Sequence, residues 1–453
     1  MAGEGTRYRF GPRERSGALA GWRAGQILTV ALGLLFGVVA LRQLPNVGGV
    51  AVAVLLLLVC AALATWPIAG RTGEQWAPVI VRWGVRHTSS RPGRSKDSLG
   101  GLRLLQGEWR EMGMVHDVRG RTLTAALSLR GQSFALLGPD EQDRRVAGWS
   151  AALAAVAREG SPVRRLQWLA ASFPDEGHGV RSYLARQTSV DAASASVASY
   201  ESLLSEMDAD ACTHDVVLAV QVRLTKSVEV AAEALRREVS SLSRLLTDAD
   251  VVVERIMTAD DVAAQLLRTY EPHGGPTPGQ WSMSDPWPMA MAEEWGSVRV
   301  DAMVHATFWV AEWPRTEVRA DFLAPLLLGA SRATLSITME PLGPEQAVRK
   351  VEASRTADLA DAELRRRSGF MSTARHARQS EVLARRESEL ADGHASFRYA
   401  GFVTVSAPSE AELVTACDAV EHAAGQCRLL LRRLYGDQAS AYTCTLPLAR
   451  GLT

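Results

Sequence analysis

Two pairs of aspartates have the spacing in this sequence that best suits metal-dependent chemistry. Asp208 and Asp210 form one Asp-x-Asp pair, and Asp248 and Asp250 form the other. Two carboxylates supply the hard oxygen ligands that divalent cations prefer, and through the cation they can hold a nucleotide sugar. Both pairs fall where a helix pattern gives way to a strand pattern, and aspartate is common in such turns. We therefore expect these four aspartates to be turn residues. The alternative is that an aspartate pair binds a metal ion in a membrane-anchored, glycosyltransferase-like enzyme.

A lone histidine, His305, lies in an alternating segment, Val304-His305-Ala306-Thr307, that is typical of a strand. A general base needs a nucleophile within reach, and no Gly-x-Ser-x-Gly or Cys/His signature supplies one. The sequence also has no His-Glu-x-x-His and no Gly-x-Gly-x-x-Gly after a strand. His305 is therefore expected to be a core or interface histidine.

Lysine positions exclude a Walker-type nucleotide site in this sequence. A P-loop needs Gly-Lys-Ser/Thr, so that backbone N–H groups and the lysine together hold the phosphates. The three lysines, Lys96, Lys226 and Lys350, follow Ser, Thr and Arg. With no other catalytic signature, we expect a non-enzymatic protein with no cofactor, no metal and no catalytic residue.

Composition indicates a folded protein without a general affinity for nucleic acid. The 453 residues are 47% hydrophobic and 22% charged, which excludes wholesale disorder. Fifty basic and fifty acidic residues give a net charge of zero, so direct nucleic-acid binding is not expected. The five cysteines are widely spaced, and in the reducing compartment predicted below we expect free thiols.

Two apolar runs near the N-terminus predict a transmembrane helical hairpin over residues 24–68. The runs cover about 27–41 and 47–66, on either side of a short link, 42–46. The second run carries no charge and makes about 30 Å of helix, enough to cross the hydrocarbon core of a bilayer. The first run reaches that length only with residues 24–26 included. In lipid every backbone polar group must be paired internally, so both segments should be helices.

Basic residues on both flanks of the hairpin predict its orientation. Since Lys and Arg concentrate on the cytoplasmic side, the link should lie outside and both termini inside the cell (inner) membrane. A cleaved signal peptide is disfavoured because a second apolar run follows at once, and a soluble core hairpin would need a partner covering both helices. The flanking residues are Arg7, Arg9, Arg13, Arg15 and Arg23 before the hairpin, and Arg71, Arg82, Arg86, Arg91, Arg94 and Lys96 after it.

Residues 1–23 form a basic cytoplasmic arm, and residues 69–105 a juxtamembrane segment and linker. Within residues 69–105, the segment 73–83 combines tryptophan, aliphatic and basic residues. This combination is typical of a helix that lies along lipid headgroups. The alternative is a cytoplasmic extension of the second helix that is interrupted at Pro78.

The rest of the sequence predicts an α+β body in two similar parts. Residues 106–270 follow a β-α-β-β-α-β order, as in ferredoxin-like folds. Residues 271–296, rich in Pro and Gly, predict an irregular loop, after which the plan repeats over 297–453 and ends in a last strand at 441–446. We therefore predict two ferredoxin-like subdomains with antiparallel sheets, the second carrying a long charged helical hairpin at 344–391.

This charged helical hairpin is the candidate surface for docking a partner. Its charges are of both signs and aromatic residues are few, which disfavours nucleic acid and leaves protein docking or a solvated face. The candidate docking residues are Arg365, Arg366, Arg367, Arg375, Arg378, Arg385 and Arg386.

Several segments of the second part carry a family resemblance. They run from Phe308-Trp309-Val310-Ala311-Glu312-Trp313-Pro314 through Met339-Glu340-Pro341 to Tyr435-Gly436-Asp437-Gln438 and the final Leu446-Pro447-Leu448. In this order they resemble the N-terminal, non-motor domain of the VirB/TraC-class conjugation ATPases, over about residues 110–448. The hairpin resembles the PrgI-type two-helix membrane subunit. The whole chain resembles an actinobacterial family of integral membrane proteins found with type-IV-like secretion or conjugation components.

The resemblance implies a membrane-anchored assembly subunit that docks a separate secretion or conjugation ATPase, other membrane subunits or further copies of itself. In the ATPase class the motor with its Walker A loop follows the last Pro-Leu, whereas this sequence reaches only Thr453. A type VII secretion membrane component is a further alternative, since it too combines two helices with a cytoplasmic domain.

Overall fold

The structure is a computed structural model that describes residues 24–43, 46–65, 72–88, 99–105, 111–130, 137–174, 195, 199–200, 202–203, 212–271, 286–329, 331–367, 384–385, 388–389 and 394–452. The helices are α1 (Ala24–Gln43), α2 (Val47–Thr65), α3 (Gly73–Thr88), α4 (Pro139–Val156), α5 (Val228–Asp248), α6 (Ala259–Tyr270), α7 (Ala324–Leu327), α8 (Pro344–Arg367), α9 (Glu410–Gln426) and α10 (Gln438–Tyr442). The strands are β1 (Leu102–Leu105), β2 (Met114–Asp117), β3 (Thr122–Arg130), β4 (Val163–Pro174), β5 (Cys212–Arg223), β6 (Val252–Ile256), β7 (Met291–Glu293), β8 (Val298–Val300), β9 (Met303–Glu312), β10 (Ala333–Leu342), β11 (Ser396–Ala407) and β12 (Leu430–Arg433).

The predicted pair of apolar helices is confirmed as α1 and α2, both long and apolar enough to cross a membrane. Small residues bring the two helices together. A Cβ built on Gly33 would lie 2.8 Å from Cβ of Cys60, and one on Gly37 would lie 3.7 Å from Cβ of Ala53. Close approach through small residues four positions apart is typical of helix packing in lipid. Their large apolar side chains, such as Leu55, point outward and are exposed.

The described strands, twelve in number, form one antiparallel sheet in the order β1-β2-β3-β5-β4-β10-β11-β9-β8-β7, with β6 also on β3 and β12 also on β9. The same local order occurs twice, as β6-β3-β5-β4 and as β12-β9-β11-β10. In the first half the hairpin β1–β2 joins the sheet by pairing of β2 with β3. In the second half the hairpin β7–β8 joins it by pairing of β8 with β9. The halves join where β4 pairs with β10, from Ala333↔Ser172 to Met339↔Leu166. The two predicted parts therefore share one continuous sheet.

One face of the sheet is apolar and is covered by α4, α5 and α9. Over the first half, Leu235, Val239 and Leu242 of α5 pack on leucines and valines of β3 and β5. Over the second half, α9 covers β9, β10 and β11. Each buried leucine or valine contributes about 1.5–3 kcal/mol, so this face supplies a large part of the stability of the body. Trp168 on β4 packs against both clusters and so bridges the seam between the halves.

The other face carries a row of buried polar side chains and is covered by α6, α10 and the segment 443–452. Gln167 Nε2 donates to the Cys444 carbonyl at 2.8 Å, and Ala449 N–H donates to Gln167 Oε1 at 2.7 Å. Gln221 Nε2 donates to the Leu448 carbonyl at 3.0 Å. From the second half, Thr338 Oγ1 of β10 donates to the Arg450 carbonyl at 2.6 Å. Because buried polar groups are costly when unpaired, these bonds hold the segment in one register across both halves.

The structure differs from the predicted elements at three places. Residues 441–446, predicted as a last strand, instead form the end of α10 and a 3₁₀ turn over Thr443–Thr445. The predicted loop 271–296 contains β7, and the predicted juxtamembrane segment and linker, 69–105, ends in the strand β1. Of the predicted charged hairpin 344–391, α8 is present, whereas most of the returning segment lies outside the described residues.

Candidate functional site

The element that joins the apolar helices to the body is α3. It begins at Gly73 and continues through Pro78 to Thr88, so the predicted interruption at Pro78 does not occur. Its first residues contact both apolar helices: a Cβ on Gly73 would lie 2.9 Å from the Leu63 carbonyl oxygen, and the Glu74 side chain lies against Gly25. The start of α3 therefore lies beside the N-terminal end of α1 and the C-terminal end of α2.

One face of α3 packs on the body through aromatic rings. Trp76 stacks on Trp295 with ring centroids 5.7 Å apart, and Trp83 meets Trp295 edge-on at 5.4 Å. Tyr435 lies 6.0 Å from Trp76 and 6.2 Å from Trp295. Val79, between the two helix tryptophans, is 8% exposed. We call these five residues the aromatic junction.

Two turns of the second half supply the body's side of the aromatic junction. Trp295 lies in the turn between β7 and β8, and Tyr435 lies directly after β12. Gly436 N–H donates to the Trp295 carbonyl at 2.8 Å, and Arg433 Nε donates to the Gly296 carbonyl at 2.6 Å. These bonds fix the two turns to each other and so set the positions of Trp295 and Tyr435, the body's side of the aromatic junction.

Aromatic contacts of this kind contribute about 0.5–1.5 kcal/mol each beyond the area they bury. Several of them on one short helix face make a firm attachment, although each alone is weak. The aromatic junction was not predicted from the sequence, because Trp295 fell in the predicted irregular loop. The spacing of Trp76, Val79 and Trp83, at three and four residues, was the available signal for a buried helix face.

Of the predicted docking arginines, only Arg385 has a described side chain. Arg365, Arg366 and Arg367 end α8, and their side chains are not described. Arg385 is exposed, and its Nε contacts Glu389 Oε1 at 2.9 Å. Arg375, Arg378 and Arg386 lie outside the described residues.

Of the candidate chemical residues, those that the structure describes lie in a turn or in the core. Asp248 ends α5, and Asp250 follows in an exposed turn with φ of +56°. Asp208 and Asp210 lie outside the described residues. Within the described part of the chain, no group of three or more His, Cys, Asp or Glu side chains could hold a metal ion.

His305 is a core histidine, as expected. It is 0% exposed on the polar face of the sheet, and its Nδ1 lies 2.8 Å from Ser406 Oγ. Its ring packs 4.5 Å from the ring of Tyr442. Burial, with a smaller contribution from Arg332, lowers the pKa of His305 to about 3, so the imidazole is neutral at physiological pH.

The cysteines are likewise structural. All five are free thiols. Burial raises the pKa of Cys417 to about 11 and that of Cys444 to about 12, so neither forms a reactive thiolate near neutral pH.

A cluster of charged residues at the seam between the halves has no counterpart in the sequence predictions. Arg268 pairs with Asp215 at 2.6 Å, and its guanidinium lies 4.4 Å from the centre of the Phe173 ring. Arg332 donates to the Glu271 carbonyl at 2.7 Å and to the Arg268 carbonyl, at the C-terminal end of α6. A cation there is favoured by the helix dipole, so Arg332 ties the second half to a helix of the first.

The chain matches no protein-family model, and no curated protein matches its sequence. The geometry of the aromatic junction therefore carries the functional argument.

Proposed function

We propose that the protein is a membrane-anchored, non-enzymatic assembly subunit of a type-IV-like secretion or conjugation apparatus. In this proposal α1 and α2 span the cytoplasmic membrane with both termini inside, and the body docks a separate ATPase. The observation that carries the proposal is the aromatic junction, which holds a large folded body on the helix that follows two candidate membrane spans.

The architecture of the body supports the proposed role as a scaffold. Each half is proposed to be a ferredoxin-like unit, because the split β-α-β order is found in each as β6-β3-β5-β4 and β12-β9-β11-β10. One shared sheet and one crossing C-terminal segment join the units, which suits a rigid platform for a partner. The resemblance to the non-motor domain of conjugation ATPases supports the choice of partner.

The ATPase is proposed to dock on the charged arm that begins with α8. This helix runs from Pro344 to Arg367 beyond the end of β10 and is rich in both charge types. A charged helix of this length gives a partner many weak, oriented contacts, which favour specificity over raw affinity.

The test is purification of the full chain from its native membranes in mild detergent, with co-purifying proteins identified by mass. We expect enrichment of an ATPase that has a Walker A motif, and only background ATP hydrolysis by the chain alone. Robust hydrolysis by the isolated chain, or no secretion ATPase enriched over an untagged control, would contradict the proposal.

A charge-reversal pair localises the contact. Changing Arg365, Arg366 and Arg367 together to Glu should reduce ATPase recovery at least several-fold. The control reverses Arg236 and Arg237 on the exposed face of α5, where no docking is proposed. Equal recovery of the ATPase with both variants would show that the charged arm is not part of the docking surface.

A further inference from the structure

The face of α3 that points away from the aromatic junction is apolar and exposed. Ile80, Val81 and Val85 are 54%, 64% and 62% exposed, and Ala77 and Pro78 are exposed beside them. Single exposed apolar residues are ordinary, but a contiguous strip on one helix marks a contact surface.

A helix of the body shows what a water-facing surface looks like in this chain. The outward face of α5 carries Glu233, Arg236 and Arg237, which form ion pairs with one another. The outward face of α3 presents instead the apolar side chains of Ala77, Pro78, Ile80, Val81 and Val85, which cannot form ion pairs. The outward face of α3 is therefore poorly suited to contact with water.

The position of α3 in the chain indicates what covers its exposed apolar face. Its first turn touches the ends of both apolar helices, at Leu63 of α2 and at Gly25 of α1. Those two ends are themselves tied, since Gln26 Nε2 donates to the Ala64 carbonyl at 2.8 Å. The ends of membrane spans lie at the lipid headgroups, so α3 starts at that level.

Charge fits the same occupant. Arg82, exposed beside the apolar strip, is placed to reach anionic headgroups. An apolar face with basic residues at its border is the pattern of helices that lie in the membrane interface.

We propose that the outward face of α3 is buried at the headgroup–acyl boundary of the bilayer that α1 and α2 span. The helix then lies between lipid on one side and the aromatic junction on the other, which fixes the height and rotation of the body over the membrane. This inference rests on the proposed membrane anchor and adds a second, interfacial attachment.

Depth-dependent fluorescence quenching tests the proposal on the full chain in nanodiscs of phosphatidylcholine and phosphatidylglycerol. An environment-sensitive fluorophore is attached to Val81→Cys or to Val85→Cys, with Cys60 and Cys212 changed to Ser. Doxyl-labelled lipid should quench both labels several-fold more than iodide does. A control label at Val414→Cys, 58% exposed on α9, should show the reverse.

A label at Val54→Cys on α2, 50% exposed, separates the two levels of the argument. If lipid quenches position 54 while iodide quenches positions 81 and 85, the interfacial helix is disproved and the anchor remains. If iodide quenches all three positions, the anchor and the proposed function fail together. Protection of positions 81 and 85 from both quenchers would mean that a second copy covers the strip, which also overturns the proposal.

Discussion

Gly436, in the turn after β12, shows how one residue shapes the aromatic junction. Its φ of +75° lies in the left-handed region, and a Cβ there would lie 2.8 Å from Cγ1 of Val79 and 2.9 Å from Cζ3 of Trp295. Only glycine avoids both the backbone strain and the clash. The close approach of Val79 on α3 to the turn after β12 therefore depends on the absence of a side chain at Gly436.

Gly436→Ala should lower the free energy of unfolding by about 1–3 kcal/mol and loosen α3 from the body. Thermal unfolding in detergent, followed by tryptophan fluorescence, measures this loss. The control is Gly425→Ala in α9, where a Cβ meets nothing within 4 Å and helix propensity favours alanine. Equal effects of the two substitutions would show that α3 does not depend on close approach at Gly436.

The buried imidazole of His305 should make stability depend on pH. Its folded pKa of about 3 lies below the ordinary value, so protonation opposes folding. Its stabilising contribution is complete above about pH 6.5 and decreases by about 1.4 kcal/mol per unit as pH falls toward 3. His305→Gln should flatten the denaturation profile between pH 6.5 and 4. An unchanged slope for His305→Gln would refute the assignment.

At the scale of elements, the packing of α1 on α2 follows from small residues facing each other. Gly33 approaches Cys60 closely enough that its own Cβ would lie 3.0 Å from the Cys60 Sγ. Gly33→Cys should therefore form a disulfide with Cys60 on mild oxidation after a small separation of the helices. Mass analysis of denatured, maleimide-treated protein would show two fewer labelled thiols. Leu34→Cys, which is exposed, should remain labelled, and a crosslink there instead would place the wrong faces together.

At the scale of the whole molecule, Gln167 links the halves to the C-terminal segment. It is 0% exposed and bonds to Ser336, Cys444 and Ala449. Gln167→Leu would leave two buried backbone groups unpaired, at a cost on the order of 1–3 kcal/mol each. We expect the Cys444 thiol, normally 8% exposed, to become reactive toward maleimide under native conditions. Gln426→Leu on the exposed face of α9 should leave the reactivity of Cys444 unchanged. Continued protection of Cys444 in Gln167→Leu would show that the bonds of Gln167 do not hold the C-terminal segment in place.

Local patterns predicted much of this fold. The amphipathic α5, the alternating β3, β5 and β11 and the repeated plan all follow from periodicity and turn residues. Residues 441–446 were misassigned because Thr443 and Thr445 alternate with apolar residues as in a strand, whereas in the fold all six residues are buried. The join of β4 to β10 and the contact of Trp76 with Trp295 are tertiary pairings between distant segments. No local pattern specifies such pairings, so the candidate site emerged only from the fold.

The orientation of the hairpin is the most direct test of the account. Gln43→Cys, exposed at the end of α1, and Val414→Cys on the body are treated separately with a membrane-impermeant maleimide in intact cells. The account predicts labelling at position 43 in intact cells, and labelling at position 414 only after the cells are opened. Labelling of position 414 in intact cells while position 43 is protected, or recovery of the protein in the soluble fraction, would contradict it.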